Sequence, residues 1–258
     1  MITKEMCKVV SQEQIAHSVF KLTLKGRLSS KAKPGQFVHV KTGGAGGPLL
    51  RRPISLASID RDNGSFTMIF RVSGEGTALL SKCGPGMEVD VLGPLGNGFP
   101  VSEAVPGTTA ILVGGGIGVP PLYELSRQLV ENGVYVVHVL GFQTASAVFY
   151  EKEFALLGPT FIATADGSYG RKGFVTDIIS GEQLEFDTLF ACGPVPMLKA
   201  LEKGFPDKKA YLSLEERMGC GIGACFACVC RVQDDQNGHS YRKVCSDGPV
   251  FRAGEVVI

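Results

Sequence analysis

The chain contains no tryptophan, only four histidines and almost no net charge. With 26 basic and 25 acidic residues, its formal charge of +1 supplies no bulk field to draw it onto nucleic acid or an anionic membrane. Partners must therefore be recognised locally. No stretch approaches the roughly 20 consecutive apolar residues that a membrane helix needs, and the opening MITKEMCKVVSQEQ has no apolar leader. A cytoplasmic protein is expected. His17, His39, His138 and His239 are scattered, and no nucleophile elbow or metal-hydrolase signature accompanies them. That pattern fits hydride and electron transfer, where cofactors carry the chemistry, better than acid–base catalysis. His138, inside an apolar strand, reads as a satisfied core residue.

Cysteine and glycine, by contrast, are plentiful. Five of the eight cysteines fall between 220 and 245, a clustering that argues for a metal rather than a disulfide framework. Cys220, Cys225 and Cys228 form C-x4-C-x2-C, and Cys245 follows after 16 intervening residues. This is the plant-type ferredoxin spacing of a [2Fe–2S] cluster. Gly219, Gly221 and Gly223 suit a loop that must turn tightly and aim backbone N–H groups at sulfur. Zinc is the competing reading, but zinc ribbons supply paired C-x2-C units, and here the last cysteine stands alone. Cys230 is a fifth candidate ligand, read as a buried structural thiol.

From 7 to about 98, short runs alternate apolar and polar residues between turn signals, the pattern of an antiparallel barrel. The stretch TGGAGGPLL (42–50) reads as an exposed loop. From about 106 the pattern becomes strand, glycines, helix, strand, which is a βαβ unit and implies a parallel sheet ending near 209. The fold class expected is multidomain β plus α/β. An antiparallel barrel (1–98) precedes a Rossmann-like parallel α/β domain (99–209) and a small cysteine-bearing segment (210–258), where VCRVQD and GEVVI look strand-like.

In the barrel, Arg51-Arg52-Pro53-Ile54-Ser55 places an arginine three residues before a serine. Such a pair can set a guanidinium and a hydroxyl on one pyrophosphate, with Pro53 stiffening the backbone between them. A solvated surface arginine is the plainer reading; the position ahead of a nucleotide domain favours a flavin site. Ile69-Phe70-Arg71 and the turn Gly74-Glu75-Gly76-Thr77, which opens a helix, belong to the same set. Gly114, Gly115, Gly116 and Gly118 lie between a strand and a helix, where a dinucleotide backbone can approach closely, although the strict G-x-G-x-x-G pattern is broken by Val119. No acidic residue or arginine follows in Gly141-Phe142-Gln143-Thr144, which favours NADH over NADPH only weakly. Cys192-Gly193-Pro194 ends another strand of the open sheet; Cys192 borders the nicotinamide or packs in the core. Asp166-Gly167-Ser168 reads as a turn.

Barrel, RRPIS, GGGIGVPP, CGP and cysteine loop, in this order, resemble the ferredoxin–NADP⁺ reductase superfamily over nearly the whole chain. More narrowly, RRPIS (51–55), E-R-M-x-C-G-x-G-x-C-x-x-C (216–228) and C-x-D-G-P (245–249) resemble the electron-transfer subunits of type B dihydroorotate dehydrogenases. The resemblance implies FAD at Arg52–Ser55, Ile69–Arg71, Gly76 and Thr77, a cluster on Cys220, Cys225, Cys228 and Cys245, and NAD⁺ at the α/β domain. It also implies an FMN-containing catalytic partner that oxidises dihydroorotate in pyrimidine biosynthesis, assembled as a heterotetramer of two of each. Electrons would pass from that FMN through the cluster and FAD to NAD⁺. Two rivals remain: a sulfide-dehydrogenase- or transhydrogenase-like flavin subunit, whose members tend to use an Asp ligand, and a redox-sensing module whose metal only holds structure.

Overall fold

The computed structural model describes residues 2–43, 47–235 and 238–258. The centre of the expected glycine loop, 44–46, lies outside the described residues. Strands β1 (Thr3–Ala16), β2 (Val19–Lys25), β3 (Phe37–Val40), β4 (Arg52–Asp60), β5 (Ser65–Arg71) and β6 (Glu88–Leu95) close into an antiparallel barrel in the order β1-β2-β5-β4-β3-β6. Alternation decides what fills it. Leu22 and Leu24, Val38 and Val40, Ile54 and Leu56, Phe66 and Met68, and Val89 and Val91 point inward into one core, and Leu80 of helix α1 (Glu75–Leu80) packs with them.

The second layer system holds β7 (Thr109–Gly115), α2 (Pro120–Glu131), β8 (Tyr135–Phe142), α3 (Glu151–Ala155), β9 (Thr160–Thr164), β10 (Arg171–Lys172), α4 (Val175–Gly181), β11 (Thr188–Cys192), α5 (Val195–Gly204) and β12 (Lys209–Ser213). The chain ends in β13 (Val229–Arg231), β14 (Tyr241–Lys243) and β15 (Val250–Arg252). The sheet order is β10-β9-β8-β7-β11-β12-β15, parallel except for β15 against β12. Leu122, Leu125 and Leu129 of α2 cover one face, and Ile178, Ile179, Leu198 and Leu201 of α4 and α5 cover the other, so the sheet is doubly wound. Strand order reverses between β7 and β11. The barrel is fastened to this sheet by Glu124 of α2, whose buried carboxylate accepts the Ile59 amide of β4 at 3.1 Å and pairs with Arg127 at 3.2 Å.

Two strand readings are corrected. Lys209–Ser213 is a fifth long parallel strand, so the sheet draws on residues beyond 209. Its pattern, KAYLS, is short and follows a charged helix end, which hid it. The GEVVI stretch is not a strand; only Val256 bridges, to Val232, while the ladder to β12 falls at Val250–Arg252. The cysteine-bearing segment is thereby sewn in on both sides. The amide of Asn97, just after β6, donates to the carbonyl of Gly248 at 2.6 Å, and its side-chain amide donates to those of Ser246 and Asp247.

Candidate functional site

At the barrel rim, Arg52 shares the inward parity of Ile54 and pairs in register with Val40. A Cβ on Gly76 would stand 2.5 Å from Nε of Arg52 and 3.0 Å from Oγ1 of Thr42. Glycine is required there to bring the start of α1 against the guanidinium. Thr42 Oγ1 is buried with no hydrogen-bond partner among the described residues. A lone buried hydroxyl beside a cation and a helix start is a cradle for a phosphate, and a pyrophosphate-bearing flavin fits it. Thr77 is spent locally: its Oγ1 accepts the Ser73 amide and donates to the Gly74 carbonyl, both at 3.0 Å.

Ser55 does not join Arg52. Positions i and i+3 of a strand face opposite sides, so the expected pairing of guanidinium and hydroxyl on one pyrophosphate is corrected. Ser55 stands opposite Phe37 and Pro53 opposite His39, on the outside of the barrel. Ile69 and Phe70 are buried in β5, with Phe70 stacked on Phe20 at 6.0 Å, while Arg71 is exposed. Arg51 is a brace: it donates to the carbonyls of His39 and Asp90 and pairs with the Asp90 carboxylate at 2.9 Å. Burial works against ionised Asp90, but Arg51 and Lys4 outweigh it and hold the carboxyl below the usual range.

Outside the barrel, an open cleft of about 550 Å³ runs between Leu50–Pro53 and Glu215–Met218. Solvent reaches the Glu215 side chain, yet the surrounding protein displaces enough water to raise its carboxyl pKa, with Arg71 opposing. Glu215 also bears on Cys192, whose thiol is pushed far up, chiefly by burial.

At the sheet's switch point, the Gly116–Gly118 turn and the Cys192–Pro194 turn pack back to back. A Cβ on Gly118 would collide with the Cys192 carbonyl, and one on Gly115 would reach Pro194 at 2.7 Å. Gly114 is needed against Val119 at 2.8 Å. These glycines let the two turns meet, whereas Gly116, at φ +54°, has open space where its Cβ would be. The mouth for a dinucleotide therefore opens over Gly116. Cys192 is the packed thiol of the two readings, 1% exposed. Asp166 and Ser168 form a turn tied to the end of β8: Asp166 accepts both the Ser168 amide and hydroxyl, and Ala145 donates to the hydroxyl at 2.7 Å.

The cysteine loop gathers its sulfurs with backbone N–H groups. Cys220 Sγ accepts from Ile222 (3.4 Å) and Ala224 (3.2 Å), Cys225 Sγ from Cys220 (3.4 Å), Cys245 Sγ from Gly223 (3.2 Å) and Cys228 Sγ from Cys245 (3.4 Å). Burial opposes ionisation of Cys220, but the amides prevail and bring it to about 6. At Cys245, burial and then Cys228 drive the thiol up to about 12. Among the described residues no three of these side chains are already closed to a metal-holding geometry; the sulfurs meet as two pairs, Cys220 with Cys225 and Cys228 with Cys245. Four cysteines on one amide-lined loop and its neighbouring turn are the donor set that suits an iron–sulfur core. Cys230 lies apart, half-buried in β13 and donating to the Arg242 carbonyl at 3.6 Å.

His138 and His39 are both fully buried. His138 is satisfied by Ser126 Oγ at 2.7 Å and Thr160 Oγ1 at 3.0 Å, as its strand position predicts. Neither ring nitrogen of His39 has a partner among the described residues. Thr42, Glu215 and His39 are the site residues that motif reading passes over; none carries a spacing signal.

Comparison with known proteins converges on the same regions. Residues 6–99 match the oxidoreductase FAD-binding domain, and 215–257 match the iron–sulfur cluster binding domain of dihydroorotate dehydrogenase B. The dihydroorotate dehydrogenase B (NAD(+)) electron transfer subunits of Bacillus cereus and Bacillus mycoides are each 59% identical over 259 residues, covering 100% of both chains. A solved NADH-dependent reduced ferredoxin-NADP oxidoreductase is 32% identical with TM-score 0.85, over 98% of this chain and 90% of that one. Ferredoxin-NADP+ reductase from Plasmodium falciparum, 12% identical with TM-score 0.64 over 79% and 90%, shares the fold. The chain belongs to the family of dihydroorotate dehydrogenase B (NAD(+)) electron transfer subunits.

Proposed function

We propose that this chain carries electrons between NAD(H) and an FMN-containing dihydroorotate dehydrogenase catalytic subunit, in a cytoplasmic complex of two of each that needs neither nucleic acid nor membrane. One observation carries the reading: the amide-lined cage of four cysteines packs on the outer face of the barrel that holds the phosphate cradle.

Arg52, Thr42 and the start of α1 at Gly76 and Thr77 hold the pyrophosphate of FAD. Pro53, Ser55 and Arg71 position the remainder of that molecule along the barrel's outer edge and cleft, and the buried side chains of Ile54, Ile69 and Phe70 support the strands that present it. The NAD mouth opens over Gly116, and Gly114, Gly115 and Gly118 shape it from behind by letting the two turns meet against Cys192, Gly193 and Pro194. Cys220, Cys225, Cys228 and Cys245 hold the [2Fe–2S] cluster. When bound, the flavin supplies the conversion between the hydride that nicotinamide exchanges and the single electrons that a cluster accepts. The functional units are 1–98, 99–209 and 210–258, the last also completing the sheet edge of the second. Exposed Ile222 and Phe226 flank the cage and face the catalytic partner.

Cys225→Ser tests the relay in the assembled complex. NAD⁺-linked orotate formation is expected to disappear, while the partner still reduces an artificial acceptor and NADH still bleaches the flavin. NAD⁺-linked turnover persisting in protein shown by iron analysis to lack the cluster would overturn it.

A further inference from the structure

His39 sits on β3 with its side chain directed out of the barrel, opposite Pro53 on one side and Leu92 on the other. Its outward neighbours Phe37 and Leu92 belong to the apolar cluster that includes Cys228 and Cys245. The ring is 0% exposed, and both Nδ1 and Nε2 are without a partner among the described residues. Such a group is costly to bury, and nearly all buried polar atoms are paired.

Gly221, the residue after Cys220, shows how the ring is turned. A Cβ there would lie 2.6 Å from Cε1, 2.8 Å from Nδ1 and 2.9 Å from Nε2. Three nearly equal distances put that position over the face of the imidazole, not at its rim. The loop backbone therefore stacks on the ring, and the two nitrogens point past it within the ring plane. Burial, followed by the nearby Arg51 guanidinium, lowers the pKa to about 4, so the ring is neutral near pH 7, with one N–H to donate. The cleft beside Pro53 does not reach these nitrogens, since they are closed to solvent. What encloses the ring includes the loop that carries Cys220, through Gly221, and the apolar cluster that holds Cys228 and Cys245.

We propose that one ring N–H of His39 is donated to a sulfur atom of the [2Fe–2S] cluster, making this barrel residue a positioning residue that ties the cluster to the flavin domain and raises its reduction potential. The assignment rests on the cluster reading above. It adds a side-chain donor from a different domain to the backbone donors of the loop, and hydrogen bonds to cluster sulfurs raise the potential. It also explains why Gly221 must be glycine: any side chain there would displace the ring.

The decisive measurement uses the wild-type holoprotein carrying ¹⁵N only in histidine, reduced with dithionite and examined by pulsed EPR. A ¹⁵N coupling to the reduced cluster is expected, and it should vanish in equally labelled His39→Gln. No histidine coupling in a well-formed cluster signal would overturn the proposal. Absence of any reduced-cluster signal would overturn the cluster reading instead. EPR-monitored titration gives the second readout: His39→Phe, which keeps a ring but no donor, should shift the midpoint to more negative potential, with His39→Gln restoring part of the shift. Equal shifts in the two variants would reduce the role to packing and sink the proposal. A change confined to the flavin's potential and visible spectrum would do the same.

Discussion

The barrel rim and the cysteine loop are both built to hold something negative, and they do it in opposite ways. At the rim, side chains do the holding: Arg52 is aimed from β4 and Thr42 from the loop just beyond β3, and the contribution of Gly76 is its missing Cβ. In the loop, the donors are backbone amides, and the side chains of Ile222 and Phe226 turn outward, with Phe226 itself at φ 57°. The rim should therefore be sensitive to what a side chain is. The loop should be sensitive to where its backbone goes.

The largest effect expected from this contrast is at Gly76. In Gly76→Val the new side chain would occupy the place of the Arg52 guanidinium, and overpacking of this kind should weaken flavin retention roughly 10- to 100-fold. The flavin-to-protein absorbance ratio after gel filtration measures it; retention at the wild-type ratio would show that the rim does not cradle the cofactor. Next is Ile222→Pro, which removes one amide from Cys220 Sγ while sparing every cysteine. Faster cluster loss under air, followed at visible wavelengths, and a more negative midpoint are expected, whereas a stability equal to that of Ile222→Ala would mean that side-chain bulk, not the amide, matters.

The smallest effect sharpens the comparison from a place where the protein satisfies itself. His138 has a folded pKa of about 4, set by burial, against 6.5 for the free group. Its lowered value means that the unfolded chain takes up the proton first. Stability is complete above pH 6.5 and falls as pH drops towards 4, by about 1.4 kcal/mol per unit. Between pH 7 and 5 the loss should be about 2 kcal/mol greater in wild type than in His138→Gln by urea denaturation; parallel losses would contradict the assignment.

Much of this was legible in the chain. Alternation locates all of the barrel strands, and the cysteine spacing marks the segment that matches an iron–sulfur binding domain, because both signals lie in short stretches of chain. Arg52 and Ser55 share one motif, but strand parity, which spacing along the chain does not display, turns positions three apart to opposite faces. Lys209–Ser213 escaped because its strand character comes from burial between β11 and β15. Thr42 and His39 escaped for a related reason: neither residue type is unusual in a strand or loop, and each becomes notable only when closure of the barrel and docking of the loop leave it buried and unpartnered. Gly114, Gly115 and Gly118 were recognised for a ligand's approach, yet they serve first to let two turns of the protein touch.

The Asn97 seam and the β12–β15 ladder also determine what kind of conductor this is. A carrier on a flexible tether transfers charge only as fast as its arm swings, and thickening the solvent slows it. Here the cage is anchored to the barrel by three hydrogen bonds from Asn97 and to the sheet by a strand. The gap an electron crosses inside this chain is thus a fixed length of protein, and its rate in stopped-flow experiments should be indifferent to added glycerol.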